Sequence, residues 1–253
     1  MRALRGDTAL RVFIDPAADG VSNMAIDECL LAAVADGGGG ALRLYRWAPP
    51  TLSLGCFQKL ADPARGHPDL AALPVVRRIT GGGAIVHADE LTYALALPLD
   101  HPLAGARPAD LYTWMHRRIA EALAALGGRT RLQGGDTVLT GRAGPFLCFR
   151  AHAPYDLMVG GEKLAGSAQR RTRRGVLQHG SLVLRRTHPV QPSASVAEQV
   201  GRPVVFDDVA ATLLAAIATA GVTLREAGPS QVDAEALRAF RAKHADRAWV
   251  ARR

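Results

Sequence analysis

Three consecutive glycines, Gly81-Gly82-Gly83, stand between two short apolar runs in Arg77-Arg78-Ile79-Thr80-Gly81-Gly82-Gly83-Ala84-Ile85-Val86-His87. Glycine takes φ > 0 without steric cost, so the run reads as a tight turn between strands, with strands predicted over 75–79, 84–86 and 91–97. The missing Cβ also lets a ligand approach the backbone, and the preceding arginines supply charge-assisted donors to an anionic group. A hairpin and a loop holding a phosphate- or acyl-bearing substrate both fit this stretch.

The same punctuation recurs along the chain. Residues 10–14 read as a strand, and Ser22 caps a predicted helix over about 23–35. Gly37 to Gly40 follow as a turn, and no GK[ST] comes after them, which excludes a P-loop. Strands at 42–47 and 51–54 meet at Pro49-Pro50, and a proline-punctuated loop spans 61–74. The clearest helix covers 108–126, with Leu111, Trp114, Met115, Ile119, Ala122, Leu123 and Leu126 on one stripe, and Gly127-Gly128 ends it. A meander follows: a strand at 155–159, a hairpin turn at Gly160-Gly161, and strands at 162–171 and 176–185. Beyond about 187 come a polar connection and helices at 207–220 and 233–244. Strands outnumber helices, are mostly hairpin-linked, and lack βαβ alternation. The expected class is α/β (α+β), a mixed, largely antiparallel sheet flanked by helices. At 253 residues and 48% hydrophobic content, one catalytic domain over 1–253 is expected. Its core lies at about 10–186 and a helical segment at about 187–253.

Composition excludes several classes. No run approaches the roughly 18 apolar residues of a membrane span, and the N-terminus lacks an apolar signal region. Cys29, Cys56 and Cys148 show no CxxC spacing. They suit a reducing, cytoplasmic setting and neither a disulfide framework nor a metal site. The net charge of +8 suits nucleic acid or an acidic protein as partner. Aromatics at 5% disfavour a base-stacking platform. No nucleic acid, no membrane and no cofactor is expected, and a monomer is the default.

Three clusters can carry chemistry: the Arg-Arg-x-Thr-Gly-Gly-Gly turn, Phe146-Leu147-Cys148-Phe149, and residues 161–169 followed by Gln178-His179-Gly180-Ser181. By itself Cys148 is either an inert core thiol or a nucleophile. A nucleophile needs thiolate character, which a nearby cation promotes. Lys163, carried back by the Gly160-Gly161 hairpin, is that cation or an exposed ion-pairing residue. His179 fits a hydrogen-bonded structural role as well as a catalytic one. Arg170, Arg171, Arg173 and Arg174 make a solvated turn or a docking surface for an acidic protein.

In this order the clusters resemble the superfamily of lipoate-protein ligases, octanoyltransferases and biotin ligases, over about 21–186. Asn23-Met24-Ala25-Ile26-Asp27-Glu28, Leu44-Tyr45-Arg46-Trp47 with Pro49-Pro50, and Leu54-Gly55-Cys56-Phe57-Gln58 complete the set. The resemblance implies a biotin/lipoate protein ligase-like catalytic domain. Cys148-Phe149, Tyr155-Asp156, Lys163 and Ala165-Gly166-Ser167-Ala168-Gln169 match the cysteine-dependent octanoyltransferase branch that looks like a lipoate ligase. The stretch Arg150-Ala151-His152-Ala153 departs from it. The branch implies that Cys148 takes octanoyl from acyl carrier protein and passes it to a lysine of a lipoyl domain or glycine-cleavage H protein. Lys163 then favours the thiolate, orients the carbonyl or helps deprotonate the amine. Substrate-binding residues implied are Arg77, Arg78, Thr80, Gly81, Gly82, Gly83, Ala84, His87, Gly166, Ser167, Ala168 and His179. Gly83, Ala84 and Ile85 are expected to wall an acyl tunnel. Arg77 and Arg78 are expected at its entrance or on carrier-protein phosphate, and His87 and His179 behind the contacting residues. The alternatives are an octanoyl amidotransferase between lipoyl domains, an ATP-dependent lipoate ligase, or a non-catalytic acyl- or nucleic-acid-binding protein.

Overall fold

The computed structural model describes residues 8–60, 67–134, 145–150 and 153–252. The chain begins with β1 (Leu10–Ile14), α1 (Gly20–Ala35), β2 (Gly40–Tyr45), β3 (Thr51–Leu54) and the one-turn helix α2 (Pro68–Ala71). Next come β4 (Val75–Arg77), β5 (Ile85–His87), β6 (Glu90–Pro98), α3 (Pro108–Ala125) and β7 (Arg131–Leu132). A 3-10 turn, Cys148–Arg150, precedes β8 (Leu157–Val159), β9 (Glu162–Arg171) and β10 (Gly175–Val183). The chain closes with α4 (Val196–Val200), α5 (Phe206–Thr219), β11 (Leu224–Glu226), α6 (Ala234–Ala245) and α7 (Arg247–Ala251).

Eight strands form one sheet in the order β11-β1-β2-β6-β10-β9-β8-β7, and β4-β3-β5 form a smaller one. The large sheet is antiparallel from β2 through β7, while β1 runs parallel to both β2 and β11. The mixed, largely antiparallel sheet flanked by helices is therefore the observed class.

Side-chain alternation on β6 explains the layering. Leu91, Tyr93, Leu95 and Leu97 join the cluster made with α3 and α5, whereas Ala94 and Ala96 join the cluster made with α1. Large residues fill one face and small ones let α1 lie close on the other. On α3, Leu111, Met115, Ile119, Ala122 and Leu123 are buried, the spacing of a single helical face.

Several boundaries differ from the sequence reading. The first helix starts at Gly20 and is capped by Asp19, whose carboxylate accepts the Ser22 N–H (2.9 Å) and Ser22 hydroxyl (2.5 Å). Asp outcompetes Ser here because one carboxylate serves both donors. Residues 51–54 leave the main sheet, since β3 pairs with β4 and β5. The stretch after 187 is more than two helices. Phe206, Val209, Leu213 and Ile217 of α5 enter the main core, and β11 extends the sheet.

Candidate active site

Ridged between the sheets, the glycine turn is held from beneath by Arg78. Its guanidinium is buried and donates to the Ser53 carbonyl (2.9 Å) and hydroxyl (2.5 Å), and to the Gly81 (3.1 Å) and Gly83 (2.9 Å) carbonyls. Gly82 sits at φ 89°, where a side chain is strained. Burial pushes the Arg78 pKa down, with Cys148 and other anionic groups opposing. The turn is thus braced by a buried cation.

Cys148 is carried to this turn by a short backbone ladder. Ala84 N donates to Phe146 O (2.7 Å) and Cys148 N to Ala84 O (2.8 Å). Gln58 adds a clamp, its amide donating to Phe146 O (2.9 Å). Gly83 permits the approach: a Cβ there would lie 2.8 Å from Cys148 N and 2.9 Å from its Cα.

From the other side, Lys163 on β9 reaches Cys148 Sγ at 3.4 Å and Asp156 Oδ2 at 2.8 Å. Lys163 and Asp156 are both buried. Burial disfavours the ammonium, but Cys148 and Asp156 outweigh it and hold the Lys163 pKa above its ordinary value. Asp156 Oδ2 also accepts from Ala153 N (2.7 Å). One carboxylate therefore fixes the lysine and the segment leading back from the cysteine. Gly166 leaves the space that the end of Lys163 fills, since a Cβ there would collide with its Cε and Nζ.

Along the cavity wall run two relays of buried polar groups. His179 meets Thr80 Oγ1 through Nε2 (2.7 Å) and Asp27 Oδ2 through Nδ1 (2.9 Å). Asp27 also takes Arg43 (2.9 Å) and the Tyr45 hydroxyl (2.8 Å). Burial opposes its charge, yet these partners hold its carboxyl below the usual range. In the second relay His87 meets Ser53 Oγ through Nε2 (2.6 Å) and Glu90 through Nδ1 (2.6 Å). Burial pushes the His87 pKa down despite Glu90. Its ring stacks on Trp47 at 3.8 Å. With their polar atoms engaged, these side chains can present carbon to a ligand.

Between them lies a cavity. Cys148 and Gly166 stand on its wall, with Ile85, Phe149, Met24 and Trp47 as apolar lining. A concave, mostly apolar space with a thiol and an ammonium 3.4 Å apart suits covalent transfer of an acyl chain.

Residues 19–188 match the lipoyl protein ligase A/B catalytic domain. The chain belongs to that family. It is 43% identical over 180 residues to the octanoyltransferase LipM of Moorella thermoacetica, covering 66% of this chain and 62% of that protein. To the octanoyltransferase LipM of Symbiobacterium thermophilum it is 35% identical over 239 residues, covering 81% and 84%. The chain thus spans about three-fifths of the Moorella relative's length. A lipoate-protein ligase A bound with ATP superposes with a TM-score of 0.75 at 19% identity, over 96% of this chain and 98% of that one, a likeness of fold.

Within this lipoyl ligase-type domain the residues expected at the site divide into three groups. Arg78, Gly82, His87, Gly166, Ser167, Ala168 and His179 line the cavity with Cys148. Lys163, Thr80, Gly83 and Ala84 stand directly behind that lining, touching Cys148, His179 or the Cys148 ladder. Of the three residues expected to wall the tunnel, Ile85 faces it. Gly81 lies beside the Phe57 ring. Arg77 points elsewhere: its guanidinium donates to Val250 O (2.7 and 3.0 Å), Gly55 O (2.8 Å) and Gln58 O (2.7 Å). Arg171 likewise donates to Ala104 O and Gly105 O, whereas Arg170, Arg173 and Arg174 are exposed on the β9–β10 hairpin.

Sequence reasoning left out Glu90 and Thr92, which complete the walls or the relays. It noted Met24, Phe149 and Asp156 as parts of motifs without giving them a role. The alternating Leu/Ala pattern of β6 was the available signal for Thr92, since Thr92 shares its face with Ala94. Residues 151–152 of the divergent segment lie outside the described residues.

Proposed function

We propose that this protein is an octanoyltransferase of lipoate biosynthesis working through a Cys148 thioester. The observation that carries the reading is the buried Lys163 ammonium placed 3.4 Å from Cys148 Sγ on the wall of an apolar cavity. An adjacent ammonium favours the thiolate, the attacking form. The thiolate attacks the carbonyl of an octanoyl thioester on acyl carrier protein. The new C–S bond forms as the old one breaks, and the carrier thiolate leaves and takes a proton. Exchange of one thioester for another is nearly isoenergetic and needs no ATP. A lysine amine of a lipoyl domain or glycine-cleavage H protein then attacks, forming the amide and returning the Cys148 thiolate.

Oxyanion stabilisation falls to the glycine turn. The Cys148 N–H is engaged with Ala84 O, and the Ala84 N–H with Phe146 O. Arg78 draws the Gly81 carbonyl toward itself, which turns the Gly82 N–H of the same trans peptide the opposite way. The raised Lys163 pKa makes it an ammonium and not a base in the resting protein. Acylation removes the sulfur's charge and leaves Asp156 alone to offset the burial that opposes the ammonium. Lys163 then gives up its proton more readily, in the half-reaction that has to deprotonate an amine. The exposed arginines of the β9–β10 hairpin, the first of them two residues beyond Ala168, are placed to meet an acidic donor or acceptor. A reduced Cys148 suits the cytoplasm.

Intact mass spectrometry after mixing with octanoyl-acyl carrier protein, without ATP, tests the reading. The expected result is a single octanoyl adduct that is absent in Cys148→Ser. No adduct on the wild type, with lipoyl-AMP formed once lipoate and ATP are added, overturns it.

A further inference from the structure

The buried side of α3 carries a histidine that neither motif nor chemistry has yet used. His116 is buried against the segment that leads into the Lys163 strand. Its Nδ1 contacts the Tyr155 carbonyl and its Nε2 lies 2.6 Å from Ser167 Oγ. A carbonyl only accepts, so Nδ1 carries the hydrogen. A neutral ring then accepts at Nε2, and Ser167 donates to it. The chain continues without conflict. Ser167 Oγ accepts from the Tyr93 hydroxyl (2.6 Å), and Tyr93 accepts from the Gln178 amide (2.7 Å). Every hydrogen in the series has one assigned place.

Tyr155 is the one non-glycine among the described residues with φ in the left-handed region, at 75°. A side chain there is strained, so surrounding bonds must hold it. Two do so: Tyr155 N donates to Gln133 O (2.9 Å), and the Tyr155 carbonyl takes His116. That carbonyl shares a peptide plane with the Asp156 N–H, which donates to Ala153 O (3.2 Å). Fixing one end of the plane fixes the base of the Asp156 side chain.

We propose that His116 is a positioning residue of the acyl-transfer site. Its Nδ1–H holds the Tyr155-Asp156 peptide, so that Asp156 aims Lys163 at the Cys148 sulfur. This rests on the acyl-transfer reading for its purpose but not for its test. Burial pushes the His116 pKa down, the Tyr155 carbonyl and Asp156 oppose this, and Lys163 reinforces it. The titratable groups facing the ring are Asp156 from the segment before β8, Lys163 from β9 and Tyr112 on α3 itself, with Tyr93 of β6 reached through Ser167.

Alkylation of Cys148 by iodoacetamide, located by peptide mass, reads the lysine's placement without any acyl group. His116→Ala is expected to slow alkylation at neutral pH about tenfold, the scale of one lost buried hydrogen bond, and to move its pH profile to higher pH. Octanoyl transfer slows in parallel with an unchanged KM for the donor. His116→Asn puts an amide N–H where Nδ1 stood and is expected to keep the wild-type profile. His116→Gln reaches Ser167 but not Tyr155, and is expected to behave as alanine does. An unmoved profile in His116→Ala overturns the proposal, as does equal behaviour of the Asn and Gln variants. The Asn–Gln comparison stands even if the alanine protein does not fold. An absent octanoyl adduct on the wild type refutes the acyl-transfer reading alone and leaves the alkylation result intact.

Discussion

Gly166→Ala isolates the lysine–cysteine contact with a single methyl group. Gly166 lies in β9 with its backbone paired to β10, and its φ is not in the left-handed region, so alanine fits the strand. What does not fit is Lys163, whose Cε and Nζ occupy the place of the new Cβ, with Asp156 Oδ1 3.2 Å from it. At the present 3.4 Å separation an ammonium and a thiolate attract by about 5 kcal/mol at an effective dielectric of about 20, and by about 1 kcal/mol in water. Lys163 is 2% exposed, which puts the pair nearer the first limit. Moving the ammonium ~2 Å further off lowers the attraction to about 3 kcal/mol, a loss of about 2 kcal/mol or roughly twentyfold in a rate that depends on this contact. Single-turnover acylation by a small octanoyl thioester, followed by intact mass, is expected to slow by that factor at neutral pH. Lys163→Met supplies the limiting case, with the charge removed and the volume nearly kept. Circular dichroism establishes that both variants are folded. If folded Gly166→Ala acylates within twofold of the wild type, the ammonium does not set the reactivity of Cys148, and the argument from 3.4 Å is refuted.

Gly83→Ala sets a Cβ within 3.0 Å of the Cys148 backbone, and displacing the Cys148 ladder is expected to abolish acylation while the Lys163–Asp156 pair survives. Detection of the octanoyl adduct at the wild-type rate contradicts this. Transfer from acyl carrier protein is expected to slow with added salt, whereas transfer from octanoyl-pantetheine is not, because only the protein donor meets Arg170, Arg173 and Arg174. Equal salt dependence for both donors removes the docking role of that hairpin. Thermal stability is expected to fall as pH drops below about 6.5. His87 and His116 are held below their ordinary values by burial, so beneath that pH the unfolded chain binds more protons than the folded one. A melting temperature that stays flat from neutral pH to pH 5 is the contrary result.

The adjacent arginines mark the limit of what the sequence discloses. Arg77 and Arg78 look interchangeable in the chain, and both were expected at a tunnel entrance. Strand alternation sends consecutive side chains to opposite sides, so only one of them was able to reach the glycine turn. Which one depends on what covers each side. Arg77 faces α7 and the Gly55 loop, and Arg78 faces Ser53 and the turn. Neither covering element is local to the pair, and Val250 is far beyond it in sequence. Strands with strong apolar content, such as β6 and β10, were legible within two residues, and β9 was legible from the Gly160-Gly161 turn before it. β11 was not, because its three residues, Leu224-Arg225-Glu226, carry no pattern of their own and become a strand only by pairing with β1. His116 was hidden for the same reason: on a helix with a clear apolar stripe it reads as a spacer. Its value comes from a carbonyl 39 positions away.

Glycine carries two different meanings in this chain, and the site uses the less familiar one. Gly82, Gly160 and Gly161 adopt positive φ, the conformational reason that marks turns from sequence. Gly83, Gly166 and Gly180 do not, and each is glycine because other atoms stand where its Cβ would be. At Gly83 those atoms are the backbone of Cys148, at Gly166 the end of Lys163, and at Gly180 the Ser167 hydroxyl and the Tyr93 ring. A strand glycine without a turn to explain it weakens the strand, so it persists where something has to pass through the space it leaves. At two of these three positions that something is the nucleophile or its cation. The triple-glycine run therefore contains both kinds side by side: Gly82 bends the chain, and Gly83 admits the cysteine to the bend.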